Sequence, residues 1–483
     1  MQNMTPKQIV DYLTNDPRIN QYRVYEQLYQ GDHYAAFAMQ SEDFPKDYAK
    51  LRYITANFAG LISKVIADML FGEPIVLQDE KNQDWIDALV HENNLDELLY
   101  EHALANSYFG DNLLKLRVED NVLKLEEAPP TVYIPELNPG NVAAAPKRIH
   151  LAVPAAINGD KYYIIETHEP PTIKTQVLLV GKKGEATVVP IETYNNLAGT
   201  SLVEQIDTKI NRFLVVHVPN PKPRGHFGQS DYIDLKTLFF ALNNRMTKVD
   251  NILDKHSDPI LAVPEGVLDE EGQPNKAAFN LFEVPENGEK PEYVVWNANL
   301  DIAFTQIDKI VEMLFMFSET SPDAMGMGKT GQAESGRALK MRLLRTIAKR
   351  NRKKLYYDHA IKELVYTAQL LAKANPGVIP SKDMKTTLAE PALPRIVWQD
   401  GVVNDEVERT ETVLKKVDAG VKSKKQAIVE LEDVTEDEAQ EQLDEVEEQN
   451  KQYDFTSFID ENAKPDDKGK PNEKGKPEDK AKE

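Results

Sequence analysis

Ser318-Glu-Thr-Ser-Pro-Asp-Ala-Met-Gly-Met-Gly-Lys-Thr-Gly-Gln-Ala-Glu-Ser335 separates two strongly helical stretches, and its reading decides how the chain is organised. Gly326, Gly328 and Gly331, with Gly336 just beyond, break helical periodicity, and small polar residues fill most of the remainder. Val311-Glu-Met-Leu-Phe-Met-Phe317 before it is apolar; Gly336-Arg-Ala-Leu-Lys-Met-Arg-Leu-Leu-Arg345 after it is intensely basic. A flexible loop between two long helices suits lining a pore or clamping a ligand.

Upstream, Ala303, Ile307, Ile310, Leu314 and Phe317 recur at helical steps. Leu235, Phe239, Leu242, Met246, Val249 and Leu253 do the same, predicting a helix from Asp231 to Lys255, roughly 37 Å long at its rise per residue. Each has one apolar stripe, so the two helices should pack together. Between them, Pro259-Ile-Leu-Ala-Val-Pro264 and Glu292-Tyr-Val-Val-Trp296 read as strands, a small β module at the tip of the pair.

Downstream, a helix of about forty residues should run to Ala374, ended by Asn375-Pro376-Gly377. It carries nine Lys or Arg residues from Arg337 to Lys354 and no acid. On a helical wheel Arg342, Arg345, Lys349, Arg352 and Lys353 share one side, while Leu339, Leu343, Leu344 and Ile347 gather opposite. This predicts one packed and one cationic face. Pairing with acids of a neighbouring helix or subunit is the simpler use of such a face; contact with DNA is the alternative. Arg395 to Gln399 reads as a short strand. Three capped helices follow, bounded at Asn404, at Gly420 with Ser423-Lys-Lys-Gln426, and at Thr435-Glu-Asp-Glu438. From Ala463 the chain is nearly all Lys, Pro, Gly, Asp and Glu, a composition expected to be disordered.

The first half mixes both structure types, so the fold class is α+β. Helices are predicted from Thr5 to Gln30 with a break at Asp16-Pro17, from Asn57 to Leu70, and from Trp85 to Ser107. Asn112 to Val118 and Val122 to Leu125 alternate as a hairpin, and Tyr162 to Glu166, Thr175 to Val180 and Phe213 to Val218 read as further strands.

With 483 residues and 41% hydrophobic content the chain should fold into several regions. The stretch from Asn57 to Gly72 is about sixteen residues, interrupted by Lys64 and Asp68, against the roughly 20 needed to cross a bilayer. No membrane role is expected, and without a signal-peptide pattern at the N-terminus, assembly is expected in the cytoplasm. The absence of cysteine excludes disulfides, thiolate metal sites and a Cys nucleophile. No two of the nine histidines lie within five residues of each other, so no metal and no cofactor is expected. A net charge of −22 argues against tight binding of nucleic acid over the surface. Gly328-Lys329-Thr330 matches only the end of a P-loop: Asp323 stands where the motif opens on glycine, and an amphipathic helix precedes it instead of a buried strand. No catalytic residue emerges.

Five pieces, in order, carry a resemblance: Tyr22-Arg-Val-Tyr-Glu-Gln-Leu-Tyr-Gln-Gly-Asp-His33, the helix from Asn57 with its Phe71-Gly-Glu-Pro74 turn, Tyr108-Phe-Gly-Asp-Asn-Leu-Leu-Lys-Leu116 with Glu127-Ala-Pro-Pro130, Gly228-Gln-Ser-Asp231, and Ser335-Gly-Arg-Ala-Leu-Lys340. Over about residues 20 to 450 they resemble the portal proteins of tailed bacteriophages, most of all those of long-tailed phages infecting Gram-positive hosts.

The resemblance implies a portal fold: an N-terminal arm (1–20), a wing (21–228), a first stem helix (229–256), a clip (257–299), a second stem helix (300–317), a tunnel loop (318–335), the long basic helix with a wing strand (336–403), a helical crown (404–452) and a tail (453–483). It implies a non-enzymatic subunit of a homo-oligomeric ring of about twelve copies at one capsid vertex, closed by heterologous contacts. Double-stranded DNA would pass through non-specifically. The terminase large subunit and then a head-to-tail adaptor would dock on it, with the major capsid and scaffolding proteins around it. Stem packing would fall to Leu235, Phe239, Leu242, Met246, Ile307, Ile310 and Leu314, and the clip to Ile260, Leu261, Val263, Tyr293, Val295 and Trp296. In the loop, Met325, Met327 and Lys329 are the candidates for touching DNA, with Gly326, Gly328, Gly331 and Gly336 as hinges. Two other readings stay open: a packaging or remodelling ATPase using Gly328-Lys329-Thr330, and a helical scaffold protein that forms no ring.

Overall fold

A computed structural model describes residues 4–38, 52–141, 144–181, 184–221, 225–257, 260–262, 292–294, 300–328, 336–384, 386–399, 406–432, 434 and 438–446. The chain divides into two units, residues 1–402 and 403–483.

Thr5 opens helix α1 (Pro6–Asn15) with a capping box, its amide donating to the Gln8 side chain at 2.7 Å. Asp16 caps α2 (Pro17–Gln30), which Gly31 ends in the left-handed region at φ 88. The short α3 (His33–Ala38) follows, without a sequence signal of its own. In α4 (Phe58–Phe71) almost every residue from Ala59 on is buried, as its stepping predicts. After strand β1 (Val76–Gln78), the single predicted helix is in fact two, α5 (Gln83–Glu92) and α6 (Leu95–Phe109), because Asn94 adopts φ 45 and breaks it.

Strands β2 (Asp111–Glu119) and β3 (Val122–Ala128) form the expected hairpin, turned by Asp120 and Asn121 at φ 50 and 65. Next come β4 (Tyr133–Glu136), β5 (Arg148–Ile157), β6 (Asp160–Glu169), β7 (Thr172–Val180) and β8 (Ala186–Val189). They make an antiparallel meander in chain order, to which β9 (Gln205–Asp207), after α7 (Ile191–Ala198), adds by pairing with β7. Strand β10 (Val215–Pro219) completes a separate three-stranded sheet of order β10-β2-β3.

Helix α8 (Lys236–Ser257) begins later than its predicted start at Asp231. Residues 231–235 are instead a run of turns, because the Ser230 hydroxyl takes the Tyr232 amide and the Ser230 carbonyl takes that of Ile233. The strands β11 (Ile260–Ala262) and β12 (Glu292–Val294) pair antiparallel with Leu261 opposite Tyr293, and α9 (Leu300–Ser318) follows. The predicted forty-residue helix is α10 (Gly336–Arg342) and α11 (Leu344–Ala374). The interruption at Leu343 is slight, since its amide still bonds Leu339 and its carbonyl Ile347. Strand β13 (Arg395–Val397) pairs with β1 across most of the chain.

Among the described residues, three buried clusters are the largest of the first unit. The largest gathers Trp85, Leu99, Leu114, Leu123, Tyr357 and Ile361 from α5, α6, the three-stranded sheet and α11. The second joins α2, α3, α4, α8 and α9 through Leu28, Phe37, Ile62, Leu235, Phe239, Leu242, Ile310 and Leu314, with Met246 and Ile307 half-buried at its rim. All seven predicted stem-packing residues therefore meet in one core, and α8 and α9 pack on each other. The third lays α1 on the meander through Ile9, Leu13, Ile134 and Ile165. In the second unit, α12 (Glu406–Asp418) leads through Gly420 to α13 (Lys424–Glu432), where Ser423 and Gln426 form the predicted capping box, and residues 438–446 are helical. Residues 453–483, Asn404 and Thr435 lie outside the described residues.

Phe239 sits at the centre of the second cluster, edge-on to Tyr232 at 5.7 Å and beside His33 at 5.9 Å. Phe239→Ala is expected to lower unfolding free energy by about 3–5 kcal/mol, the cost of an aromatic cavity, measured by chemical denaturation followed by circular dichroism.

Candidate functional site at the helix junction

The sequence pieces singled out above converge in space. Asp111 is 1% exposed, and its carboxylate accepts the Tyr22 hydroxyl at 2.6 Å and the Gly228 amide at 2.7 Å, with His217 Nε2 at 2.7 Å. Gly110 and Gly228 are glycine because the backbones touch: a Cβ on Gly110 would meet the Ser230 nitrogen at 2.3 Å, and one on Gly228 the Gly110 oxygen at 2.1 Å. The Ser230 hydroxyl donates to the Tyr108 carbonyl at 2.6 Å, and the Asp231 amide to the Ser107 carbonyl at 3.0 Å. Tyr232, fully buried, donates its hydroxyl to the Ala59 carbonyl at 2.7 Å and lies 2.7 Å from the Ser63 hydroxyl on α4.

Asp231 is the hub. Lys353 Nζ lies 2.7 Å from one carboxylate oxygen and Lys349 Nζ 3.1 Å from the other, and the Ser107 hydroxyl donates at 2.7 Å. Burial alone would raise this carboxyl; the two ammonium groups and Ser107 instead hold it well below the usual carboxylate range. Burial pushes the Lys353 ammonium down to about 8, although Asp231 pulls it up. Lys349 also donates to the carbonyl of Ser318 at 2.9 Å, the last residue of α9, so it caps a helix end that would otherwise carry an orphan acceptor.

Beyond Ser318 the chain stays tied to α10 and α11. Glu319, at φ 56, takes Arg345 at 2.7 Å and is bonded by Arg352 as well. The Ser321 amide donates to Thr346 Oγ1 at 2.8 Å, and Arg342 meets Asp323 at 3.4 Å. A short 3-10 turn, Asp323–Met325, follows, and the Met327 amide closes back on the Pro322 carbonyl at 2.9 Å. A cleft of about 230 Å³ opens beside the hub, bounded by Asn220, Asp234, Phe317, Glu319 and Arg352.

These placements correct the helical-wheel reading. Thr346, Lys349, Arg350, Lys353 and Tyr357 form the buried side of α11, while Leu344 is 58% exposed. Leu343 does pack, against Met69, with Leu339 and Ile347 half-buried beside it. Of the five singled-out cations Lys349 and Lys353 are buried while Arg342, Arg345 and Arg352 stay exposed, and all five pair with Asp231, Glu319 or Asp323 of the same chain. The hub acid itself was missed as a partner. Its signal in the sequence is one acid at the mouth of α8 against two lysines one turn apart, but nothing in the sequence links positions so far separated.

Of the loop residues, Met325 is half-buried against the α2–α4–α8–α9 core and Met327 is 52% exposed. Gly326 adopts φ 72, Gly328 lies against the Asp323 carboxylate, and Gly336 begins α10. Lys329 and Gly331 fall outside the described residues, as do Val263, Val295 and Trp296; Ile260, Leu261 and Tyr293 lie on the paired β11 and β12. The segment entering Gly328 is a helix and a 3-10 turn, without the strand that a P-loop requires. Among the described residues no group of three His, Asp or Glu side chains could hold a metal, and no helix is long and apolar enough to cross a membrane.

Residues 13–453 match the family described as "Phage portal protein, SPP1 Gp6-like". The chain belongs to the phage portal protein family. It is a subunit of the ring-shaped portal, a structural component at one capsid vertex, and its ring forms the channel through which double-stranded DNA is loaded and later leaves. No curated protein matches this portal sequence. Two solved structures are similar to it. One, from the neck of an empty GTA particle computed with C6 symmetry, is 13% identical, covers 80% of this chain and 94% of its own, and has a TM-score of 0.46. The other, from the neck of a native GTA particle computed with C12 symmetry, is 14% identical, covers 80% and 93%, and has a TM-score of 0.38.

Asp231→Asn would leave two buried ammonium groups without a carboxylate, and is expected to destabilise the portal subunit by about 3–5 kcal/mol in chemical denaturation at neutral pH. The wild-type contribution of this carboxyl is complete above the unfolded-chain value of about 4 and is lost as pH falls through its lower folded value. The gap between wild type and Asp231→Asn should therefore narrow as pH is lowered below about 4.

Proposed function

We infer that this portal subunit works without hydrolysing nucleotide, as a passive channel wall that hands DNA from one machine to another. The observation that carries this reading is the junction: α8 and α9 pack as a pair, and both the mouth of α8 and the end of α9 are tied to α11 by Asp231, Lys349 and Lys353. The pair is then a strut joined at its base to the body of the subunit. Residues 229–256 and 300–317 act as the stem, with Leu235, Phe239, Leu242, Met246, Ile307, Ile310 and Leu314 as its packing.

Residues 257–299 act as the clip. This clip would meet the terminase large subunit during loading and the head-to-tail adaptor afterwards, with Ile260, Leu261, Val263, Tyr293, Val295 and Trp296 forming its β module. Residues 318–335 act as the tunnel loop, 21–228 as the wing and 404–452 as the crown. The ring holds about twelve copies, joined by heterologous contacts around the axis. It assembles in the host cytoplasm with the major capsid and scaffolding proteins, in a long-tailed phage of a Gram-positive host.

In this reading the loop touches passing DNA beyond the segment tied to α10 and α11. Met327 is exposed and Met325 is half-buried, so of the two Met327 is the better placed. Lys329 is the third candidate. Met327→Ala with Lys329→Ala is expected to leave ring assembly intact and to change DNA retention in filled capsids; unchanged loading and retention would remove both residues from that role.

Negative-stain microscopy with native mass spectrometry tests the reading as a whole. Rings of about twelve copies with a central hole are expected. Particles of one or two copies that persist at high concentration would overturn it. ATP hydrolysis by the purified chain that vanishes in Lys329→Ala would favour the ATPase reading instead.

A further inference from the structure

Helix α9 ends in a Schellman motif. The Thr320 amide donates to the Phe315 carbonyl at 3.2 Å and the Glu319 amide to that of Met316 at 3.3 Å, with Glu319 in the left-handed region at φ 56. Helices α2 and α12 end through the same pair of bonds, and both use glycine there: Gly31 at φ 88 and Gly420 at φ 69. Glutamate suits the position poorly on two counts. Its Cβ crowds the backbone in this conformation, and its charge stands at the negative end of the α9 dipole.

Helix α11 is what holds it. The Glu319 carboxylate takes Arg345 at 2.7 Å and is bonded by Arg352 as well, two residues seven apart and so on one face of that helix. Lys349, between them in the sequence, donates to the Ser318 carbonyl at 2.9 Å. The last residue of α9 and the first beyond it are thus both fixed from α11. Downstream the ties are one neutral hydrogen bond, from the Ser321 amide to Thr346 Oγ1, and the Arg342–Asp323 pair at 3.4 Å. Glycine at 319 would turn the chain whether or not α11 were in place, since glycine enters the left-handed region unaided. Glutamate makes the turn depend on the two arginines. With side chains 27%, 70% and 46% exposed for Glu319, Arg345 and Arg352, these charges are also open to screening by salt.

We propose that Glu319 is the positioning residue of the loop that leaves α9: its carboxylate, held by Arg345 and Arg352, fixes the course of residues 319–328 and so the place of Met327. The consequence for DNA passage rests on the portal reading above; the positioning itself does not.

The absence of cysteine makes the test direct. A nitroxide is attached at Met327→Cys in the full chain, and its mobility is read by electron paramagnetic resonance with Glu319 intact, with Glu319→Gly and with Glu319→Gln. A restrained label is expected with Glu319 intact at low salt, and a mobile one in both variants. Raising salt to about 1 M, where the Debye length is about 3 Å, should mobilise the label when Glu319 is present and add nothing in the variants. A label equally restrained in Glu319→Gly at every salt would overturn the proposal. Thermal unfolding is the independent arm. Glu319→Gly should raise the midpoint more in an Arg345→Gln, Arg352→Gln background, where only the strain remains, than in the wild type; equal shifts in both would show that the arginines do not hold the turn. Without the label, Glu319→Gly is expected to change DNA retention in filled capsids, and unchanged retention beside a mobilised label would overturn the link to DNA passage. A wild-type chain that forms no rings would overturn the portal reading and leave the label result standing.

Discussion

A carboxylate with two lysines, their side chains largely buried, is an arrangement that tolerates little displacement. Taking these charges out of water is expensive, and the attraction recovers the cost only when geometry is good and the remaining donors and acceptors are satisfied. At Asp231 they are: Lys349 and Lys353 take one oxygen each, Ser107 adds a hydroxyl, and the second ammonium charge is offset at the carbonyl end of α9 through Ser318. The arrangement exists only when four chain segments, around Ser107, Asp231, Ser318 and residues 349–353, are in register. Its value is therefore specification of one geometry more than raw stability.

Everything that defines the junction hangs on that register. The turn from Gly228 to Tyr232 is pressed onto α6 and α4 so closely that glycine is required on both sides of the contact, and α8 leaves it in a fixed direction. Helix α9 returns beside α8 and ends where Lys349 can reach its last carbonyl. The chain then turns through Glu319 and is held on α10 and α11 at Ser321 and Asp323 before it departs. A displacement of α11 would be felt at both ends of the helical pair and at the base of the loop together, because packed helices shift as units.

Much of this was legible in the sequence, and the part that was not has a definite cause. Stepping by 3 and 4 marked α8 and α9, alternation around Glu119-Asp-Asn121 marked the hairpin, and Ser423 with Gln426 marked a helix start, because each signal is local. The start of α8 was set five residues early because Asp231 and Tyr232 continue its periodicity, while Ser230 diverts the backbone into turns that periodicity does not register. The wheel of α11 failed differently. It grouped the cations on one side, but it could not tell which of them are buried, because Asp231, the partner of Lys349 and Lys353, is remote in the sequence. Leu344 stands in solvent where the wheel placed a packing residue.

The same pairing bears on how a DNA channel is built. Each phosphate neutralised by a free lysine or arginine adds affinity, so a strongly basic helix at the wall would act as a brake on a polymer that must move both ways. Here the one intensely basic segment of a chain of charge −22 spends Arg342, Arg345, Lys349, Arg352 and Lys353 on its own acids. Two of the five are buried outright, and the other three are bound to the first residues of the loop. Those cations hold Asp231 and residues 318–323 on α10 and α11, and three acids against five cations offset part of the field the segment would otherwise present. What matters to a passing phosphate is the unpaired charge within about a Debye length and not the count of lysines and arginines in the helix.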